Sequence, residues 1–232
     1  VSGLPADNPS IQVSVGPQIV CTVTQSGDVY CWGRGGYVGD GTQEDRSEAT
    51  KIYTGVSMAK VDVGWLHTCG LSTNGDVLCW GKDRGLGDGV ERERNAFALT
   101  PNYTAPFPDG RKAIDIGVSS GNTCAILDNG SRSCWSNEEI PSDGFHYGGN
   151  VSAIGLISVS LAGSEREKDM CTILDNDSID CNDHEMDIQD YSLDLGWISP
   201  APRSLTLGQG HACLIDHNYS LKCWGFGKGG AL

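Results

Sequence analysis

The sequence predicts an all-β repeat protein built from about five similar units. Three observations predict it. Ten cysteines fall into five pairs of one spacing, the pairs recur at a regular period, and glycine is abundant between short apolar stretches. Glycine supplies 32 of the 232 residues with no Gly-X-Y period, which marks many turns between short strands. Hydrophobic residues make up 38% of the chain, enough to bury a core but a thin one. There is no long amphipathic helical pattern.

The cysteine pairs are Cys21 and Cys31, Cys69 and Cys79, Cys124 and Cys134, Cys171 and Cys181, and Cys213 and Cys223, each separated by ten. Even counts at fixed spacing point to a disulfide framework in an oxidising compartment. Each pair flanks a turn-rich centre: Ser26-Gly27-Asp28, Asn74-Gly75-Asp76, Asn129-Gly130, Asn176-Asp177 and Asn218-Tyr219. Asn-Gly between alternating strands is a hairpin signal. A hairpin bent at its middle sets residues i and i+10 face to face, with Cα atoms about 4.5–5.5 Å apart, the range a disulfide needs. The expected bridges therefore lie within each pair. The competing reading is zinc, which uses Cys-x2–4-Cys knuckles that the chain lacks. A short loop of this kind stabilises by about 2–3 kcal/mol.

The first cysteines recur every 42 to 55 residues, a period of propellers and solenoids. A strand-like segment, Ser10-Ile11-Gln12-Val13-Ser14-Val15-Gly16, opens the first unit and matches Ala59-Lys60-Val61-Asp62-Val63-Gly64 of the second. The first unit continues through Cys21-Thr22-Val23 and Gly27-Asp28-Val29-Tyr30-Cys31-Trp32-Gly33 to Gly39-Asp40-Gly41. The second runs from His67-Thr68-Cys69 through Asn74-Gly75-Asp76 and Cys79-Trp80-Gly81 to Gly85-Leu86-Gly87-Asp88-Gly89. The third reads Cys124-Ala125-Ile126-Leu127 to Cys134-Trp135, the fourth Cys171-Thr172-Ile173-Leu174 to Cys181, and the fifth His211-Ala212-Cys213-Leu214 to Cys223-Trp224-Gly225.

This pattern resembles the regulator of chromosome condensation repeat family, in its cysteine-paired extracellular variety. The resemblance covers about residues 11–232, is weaker in repeat three, and in repeat four lacks both the Trp and the Gly-Asp-Gly loop. It implies a β-propeller of four-stranded antiparallel blades, about five in this chain, within a single domain over 1–232. The repeats are read as 11–58, 59–112, 113–160, 161–202 and 203–232. The last blade is expected to be completed by residues 1–16 or by a neighbour. The start at Val1, without a signal peptide, reads as a processed chain or part of a longer one.

A formal net charge of −14 and no cluster of Lys and Arg argue against nucleic acid and anionic membranes. The densest basic stretch, Glu91-Arg92-Glu93-Arg94, carries its own glutamates. No apolar run approaches the roughly 20 residues of a membrane-spanning helix.

Asn-x-Ser/Thr sequons stand at Asn102, Asn129, Asn150, Asn176 and Asn218. Asn129, Asn176 and Asn218 share one repeat position, five residues past the first cysteine, at the hairpin tip. Covalent N-glycans are expected at all five sequons, against the reading of Asn as a plain turn residue. Trp32, Trp80, Trp135 and Trp224 each follow a second cysteine, on the opposite face of the strand, where packing between blades explains them. Gly225-Phe226-Gly227-Lys228-Gly229-Gly230 fits a dinucleotide-loop spacing without the helix that such a loop needs. Asp175, Asp177, Asp180, Asp183, Glu185, Asp187 and Asp190 crowd repeat four but lack the turn glycine and terminal Glu of a calcium loop. His67 and His211 precede first cysteines and read as packing residues. No catalytic set, cofactor site or metal site is expected.

The expected function is a non-catalytic secreted or cell-surface glycoprotein scaffold, a subunit of a coat, matrix or filament, with self-assembly or a protein partner. The alternative is a secreted binding or inhibitory module. It would grip a protein or glycan through loops 43–58, 90–112 and 136–160 and their aromatics Tyr53, Phe97, Tyr103, Phe107, Phe145 and Tyr147. Nucleotide exchange on a small GTPase, which the family's nuclear founder performs, is disfavoured by oxidised cysteines and acidic charge.

Overall fold

The computed structural model describes residues 1–82, 86–87, 97–104, 106–119, 121–136, 156–162, 169–174, 179–182, 202–208, 211–216 and 218–225. Its described residues form seventeen strands in five antiparallel sheets, with one 3-10 turn at Pro108–Gly110. Blade 1 holds β1 (Ser10–Val15), β2 (Ile19–Thr24), β3 (Val29–Gly33) and β4 (Arg46–Ile52) in that order. Blade 2 holds β5 (Met58–Val63), β6 (His67–Ser72), β7 (Val77–Lys82) and β8 (Phe97–Tyr103). Three strands are described for each later blade. Blade 3 has β9 (Ala113–Val118), β10 (Asn122–Leu127) and β11 (Arg132–Ser136). Blade 4 has β12 (Leu156–Ala162), β13 (Asp169–Leu174) and β14 (Ile179–Asn182). Blade 5 has β15 (Pro202–Gly208), β16 (His211–Asp216) and β17 (Leu221–Gly225).

The disulfide hairpin is the invariant unit. Cys21 opposes Cys31, Cys69 opposes Cys79, Cys124 opposes Cys134, Cys171 opposes Cys181 and Cys213 opposes Cys223. Bridges join Cys21–Cys31, Cys69–Cys79, Cys124–Cys134 and Cys213–Cys223, with Cα atoms 4.2, 4.1, 4.0 and 4.1 Å apart. A second invariant was not legible as a motif. Every first strand carries one extra residue against its partner: Ile11, Ala59, Ile114, Ile157 and Arg203. Such a bulge raises local twist at a fixed point in each sheet. It identifies blade 4 as the same unit despite its missing Trp.

Residues 1–16 belong to blade 1. β1 pairs with β2, the Ser2 carbonyl accepts the Ala49 N–H of β4, and the Pro9 carbonyl accepts that of Gln25. These hydrogen bonds seat the segment on the first blade rather than the last. β12 begins at Leu156, so the boundary read at residue 160 falls inside a strand.

Blades stack face to face, the forward face of one on the back face of the next. Ile19, Cys21, Val23, Val29, Cys31 and Ile52 of blade 1 form one cluster with Val61, Val63, Leu78 and Trp80 of blade 2. First strands are also stitched to one another. Gln12 Nε2 donates to the Val61 carbonyl at 2.8 Å, and its Oε1 accepts the Val61 N–H at 3.1 Å. Ser14 Oγ accepts the Val63 N–H at 3.0 Å and donates to Asp62 Oδ1 at 2.9 Å. One blade on, Lys60 Nζ donates to the Ile116 carbonyl and to Asp115 Oδ1, both at 2.7 Å, and Asp62 Oδ2 accepts the Val118 N–H at 2.8 Å. Side chains thus satisfy backbone groups that the sheets leave open where strands of different blades meet. Desolvation by burial pushes the Asp62 carboxyl above the ordinary range, against the opposing pull of Lys60.

His67 is part of the same packing. It is buried, with Nε2 2.6 Å from Thr123 Oγ1 of blade 3. Desolvation lowers its pKa to about 3. Below the ordinary value of 6.5 the unfolded chain takes up a proton that the folded chain refuses, so stability is lost as pH falls from about 6.5 toward 3. Urea unfolding at pH 7 and pH 5 is expected to show a loss of about 2 kcal/mol from this group. The His67→Gln variant lacks that loss, and an equal slope in both proteins would rule it out.

Candidate functional site

The tips of blades 1, 2, 3 and 5 each join the second and third strands of a sheet, and three exposed tyrosines stand at or beside them, whereas exposed Trp65 lies in the β5–β6 connection at the other end of its sheet. Tyr53 follows β4 and Tyr103 ends β8, each beside the start of the preceding strand, just past a tip; Tyr219 sits in the tip of blade 5. All three are exposed. Between blades 2 and 3 an open cleft of about 340 Å³ is lined by Asp76, Tyr103, Pro106, Phe107, Arg111 and Lys112, among others. The 3-10 turn shapes its floor: the Phe107 carbonyl accepts the Gly110 N–H at 3.3 Å, and Asp109 takes the left-handed φ of 56°.

Charge on this face is locally balanced. Lys51 pairs with Asp28 at 2.9 Å, Lys112 with Asp76 at 2.5 Å and Arg111 with Asp128 at 3.6 Å. Each cation belongs to an outer strand or a connection and each acid to a hairpin tip. The Lys51 ammonium holds the Asp28 carboxyl below the usual range. Such exposed pairs add little stability individually, but they place oriented donors and acceptors around the tyrosines.

The sequence-predicted residues divide accordingly. Asn129 and Asn218 are exposed at tips on this face, Asn129 Oδ1 accepting from Ser131 N–H and Oγ. Asn102 lies half-buried inside β8, opposite Cys79. Asn150 and Asn176 lie outside the described residues, as do Phe145, Tyr147 and most of the acidic run around residues 183–190. Two of the loop aromatics are not exposed. Phe107 is buried against Trp135, ring centroids 6.1 Å apart, and Phe97 is half-buried, edge-on to Tyr37 at 5.1 Å. The segments 43–58 and 90–112, read as loops, contain β4 and β8.

Trp80 and Trp135 are buried between blades. Each ring packs on a glycine of the preceding blade's loop. A Cβ on Gly39 would stand 2.5 Å from the Trp80 ring, and one on Gly87 2.5 Å from that of Trp135. With φ of +91° and +67°, both positions favour glycine on conformational grounds as well. The first glycine of the Gly-Asp-Gly motif in one repeat is therefore a seat for the Trp of the next. No group of three or more His, Cys, Asp and Glu side chains is placed to hold a metal among the described residues. No helix among them is long and apolar enough to cross a membrane.

The family model of the regulator of chromosome condensation (RCC1) repeat matches residues 11–37 and 58–84, from β1 through the disulfide hairpin and from β5 through the next. The first two blades carry RCC1 repeats. They are of the cysteine-paired kind, one hairpin disulfide to the repeat. No curated protein matches the sequence. Solved structures match along almost the whole chain. Human WBSCR16 superimposes with a TM-score of 0.72 at 15% identity, over 96% of this chain and 64% of that one. Prp20p of Saccharomyces cerevisiae, described by its binding to Gsp1p and histones, gives 0.63 at 17%, over 97% and 60%. The CRINKLY WD40 ectodomain of the Arabidopsis thaliana receptor kinase ACR4 gives 0.57 at 19%, over 97% and 67%. The fold is therefore a β-propeller, and the chain spans a little under two thirds of the length of the first of these structures.

Proposed function

We propose that this RCC1-repeat propeller is a non-catalytic extracellular scaffold that engages a protein partner through its tip face. The supporting observation is the cleft of Tyr103, Arg111 and Lys112, on a frame held by a disulfide in each of four blades. Tyrosine flanked by arginine gives large contact area at small entropic cost. The hairpin bridges suit an oxidising compartment. Extracellular ectodomains are among its structural matches, and Prp20p is a protein-binding propeller, although likeness at these identities carries the fold alone. We read Cys171 and Cys181, whose backbones stand opposite each other in β13 and β14, as a fifth bridge. N-glycans at Asn129 and Asn218 would stand at the tips of blades 3 and 5.

The test is a protein and glycan array probed with the native chain and with Tyr103→Ala/Arg111→Glu. Saturable binding that falls at least tenfold in the variant is expected; a blank array, or binding that the variant keeps, overturns the reading. Expression in a eukaryotic secretory cell is expected to give a protein whose mass falls by one glycan in Asn129→Gln and by another in Asn218→Gln. An unchanged mass in both would remove the glycans.

A further inference from the structure

The repeat supplies an internal standard for the connections between blades. Blade 1 leaves its outer strand at Ile52, opposite Val29, and enters blade 2 where the Met58 N–H donates to the Gly27 carbonyl. Blade 2 leaves where the Thr104 N–H donates to the Val77 carbonyl, and enters blade 3 where the Ala113 N–H donates to the Gly75 carbonyl. Val29 and Val77 each stand two before a second cysteine, and Gly27 and Gly75 hold one place in their tips, so the anchors are equivalent. Residues 53–57 fill the first span and residues 105–112 the second. The longer span carries the 3-10 turn Pro108–Gly110 and lines the cleft of about 340 Å³.

The charges are rearranged to match. Tyr103 opposes Leu78 as Lys51 opposes Tyr30, so blade 2 has a tyrosine where blade 1 has the lysine that pairs with its tip acid, Asp28. The counterpart acid is Asp76, and Lys112 of the longer connection pairs with it instead, at 2.5 Å. The exchange leaves Tyr103 53% exposed in a cleft that Pro106 and buried Phe107 also line. The polar groups beside it are already matched: Lys112 with Asp76, and the Arg111 guanidinium 3.6 Å from Asp128.

We propose that this cleft binds a neutral pyranose, carried on a glycan of the partner. The inference deepens the partner reading and rests on it. Charge selects the occupant. An anion would have to draw Lys112 off Asp76 against a net charge of −14, and a cation would have to displace Lys112 from that acid. Either leaves one member of the pair unmatched, whereas a neutral ligand keeps the pair intact. Sugar hydroxyls both donate and accept, so one ring can meet ammonium, guanidinium and carboxylate edges together. The C–H face of a pyranose lies flat on an aromatic ring, which Tyr103 offers. An apolar peptide side chain needs a deep apolar pocket, and Phe107, at 7% exposure, leaves little such surface open. The volume falls at the low end of small-ligand sites, about 300–1,000 Å³, which suits a short sugar.

The probes are neutral tetrasaccharides of glucose, galactose, mannose and N-acetylglucosamine, with sulfated and uronic-acid tetrasaccharides as the charged comparison, followed by saturation-transfer NMR. At least one neutral sugar is expected to bind saturably and equally well in low and high salt. Tyr103→Phe keeps the ring and should bind as the native chain does. Tyr103→Ala should bind at least tenfold more weakly. So should Asp76→Leu/Lys112→Met, which removes the polar edges without changing net charge. Exposed pairs add little stability, so an unchanged thermal midpoint is expected for that variant. Silence from the whole panel, salt-sensitive binding that favours the charged sugars, or equal binding by Tyr103→Ala overturns the proposal. Protein capture that still depends on Tyr103 after the captured protein is stripped of its glycans overturns the sugar and leaves the partner reading standing. Sugar binding by a chain that captures no protein sinks the partner reading alone.

Discussion

Replacing Trp80 by alanine is expected to cost about 3–5 kcal/mol, the range for emptying a buried tryptophan site. The ring is fully buried between blades 1 and 2 and rests on the Gly39 backbone. The loop that holds it is fixed by the Arg46–Asp40 pair and by Asp40 accepting the Thr42 N–H, so it cannot collapse freely into the void. In a chain of this size the thermal midpoint should fall by roughly 6–20 °C at about 2–4 °C per kcal/mol. Trp80→Phe separates volume from polarity. The indole N–H is buried without a hydrogen-bond partner, so removing it sheds an unsatisfied donor while keeping most of the ring. Phenylalanine should therefore lose less than half of what alanine loses. Calorimetry under oxidising conditions decides, and a shift under 2 °C for alanine would mean that the socket does not hold the blades together.

Removing the second-blade bridge as Cys69→Ala/Cys79→Ala is expected to cost about 3 kcal/mol from the loop it closes in the unfolded chain. Both cysteines are fully buried in the cluster between blades 2 and 3, so lost sulfur contacts add to that figure. The same change at Cys213 and Cys223 gives up the loop entropy but little packing, because Cys223 is exposed. Mild reductant should accordingly open Cys213–Cys223 first, while the bridges of blades 1 and 2 wait for unfolding. Timed alkylation and peptide mapping read the order. Equal rates for all bridges would show that burial does not protect them.

The hairpins were legible because their signals are local. Ten-residue cysteine spacing and an Asn-Gly or Gly-Asp bend sit in one short window. The outer strands β4 and β8 were not: Arg-Ser-Glu-Ala-Thr-Lys-Ile is half solvated and lacks the apolar alternation that marks a buried strand. The bulge is a difference in register between two strands, which no single segment spells. Trp80 could be assigned to blade packing from strand alternation, but its glycine partner lies in the preceding repeat. Phe107 looked like a loop aromatic because its cover, Trp135, is distant in sequence. In the candidate site the tip sequons were read from sequence, whereas the cleft that Tyr103 and Arg111 share with Asp76 arises only when the connection after β8 folds back on the second hairpin.

Because each of the four described bridges closes a loop within one sheet, none of them ties a blade to its neighbour. A load applied along the chain would pull apart the noncovalent seams first and then peel the outer strands. It would stop at each clasp, where Cα atoms about 4 Å apart stand in for ten residues of backbone. Each blade thereby withholds roughly 30 Å of extension. A fibre or wall made of such units would yield in short steps and recoil from hairpins that never opened.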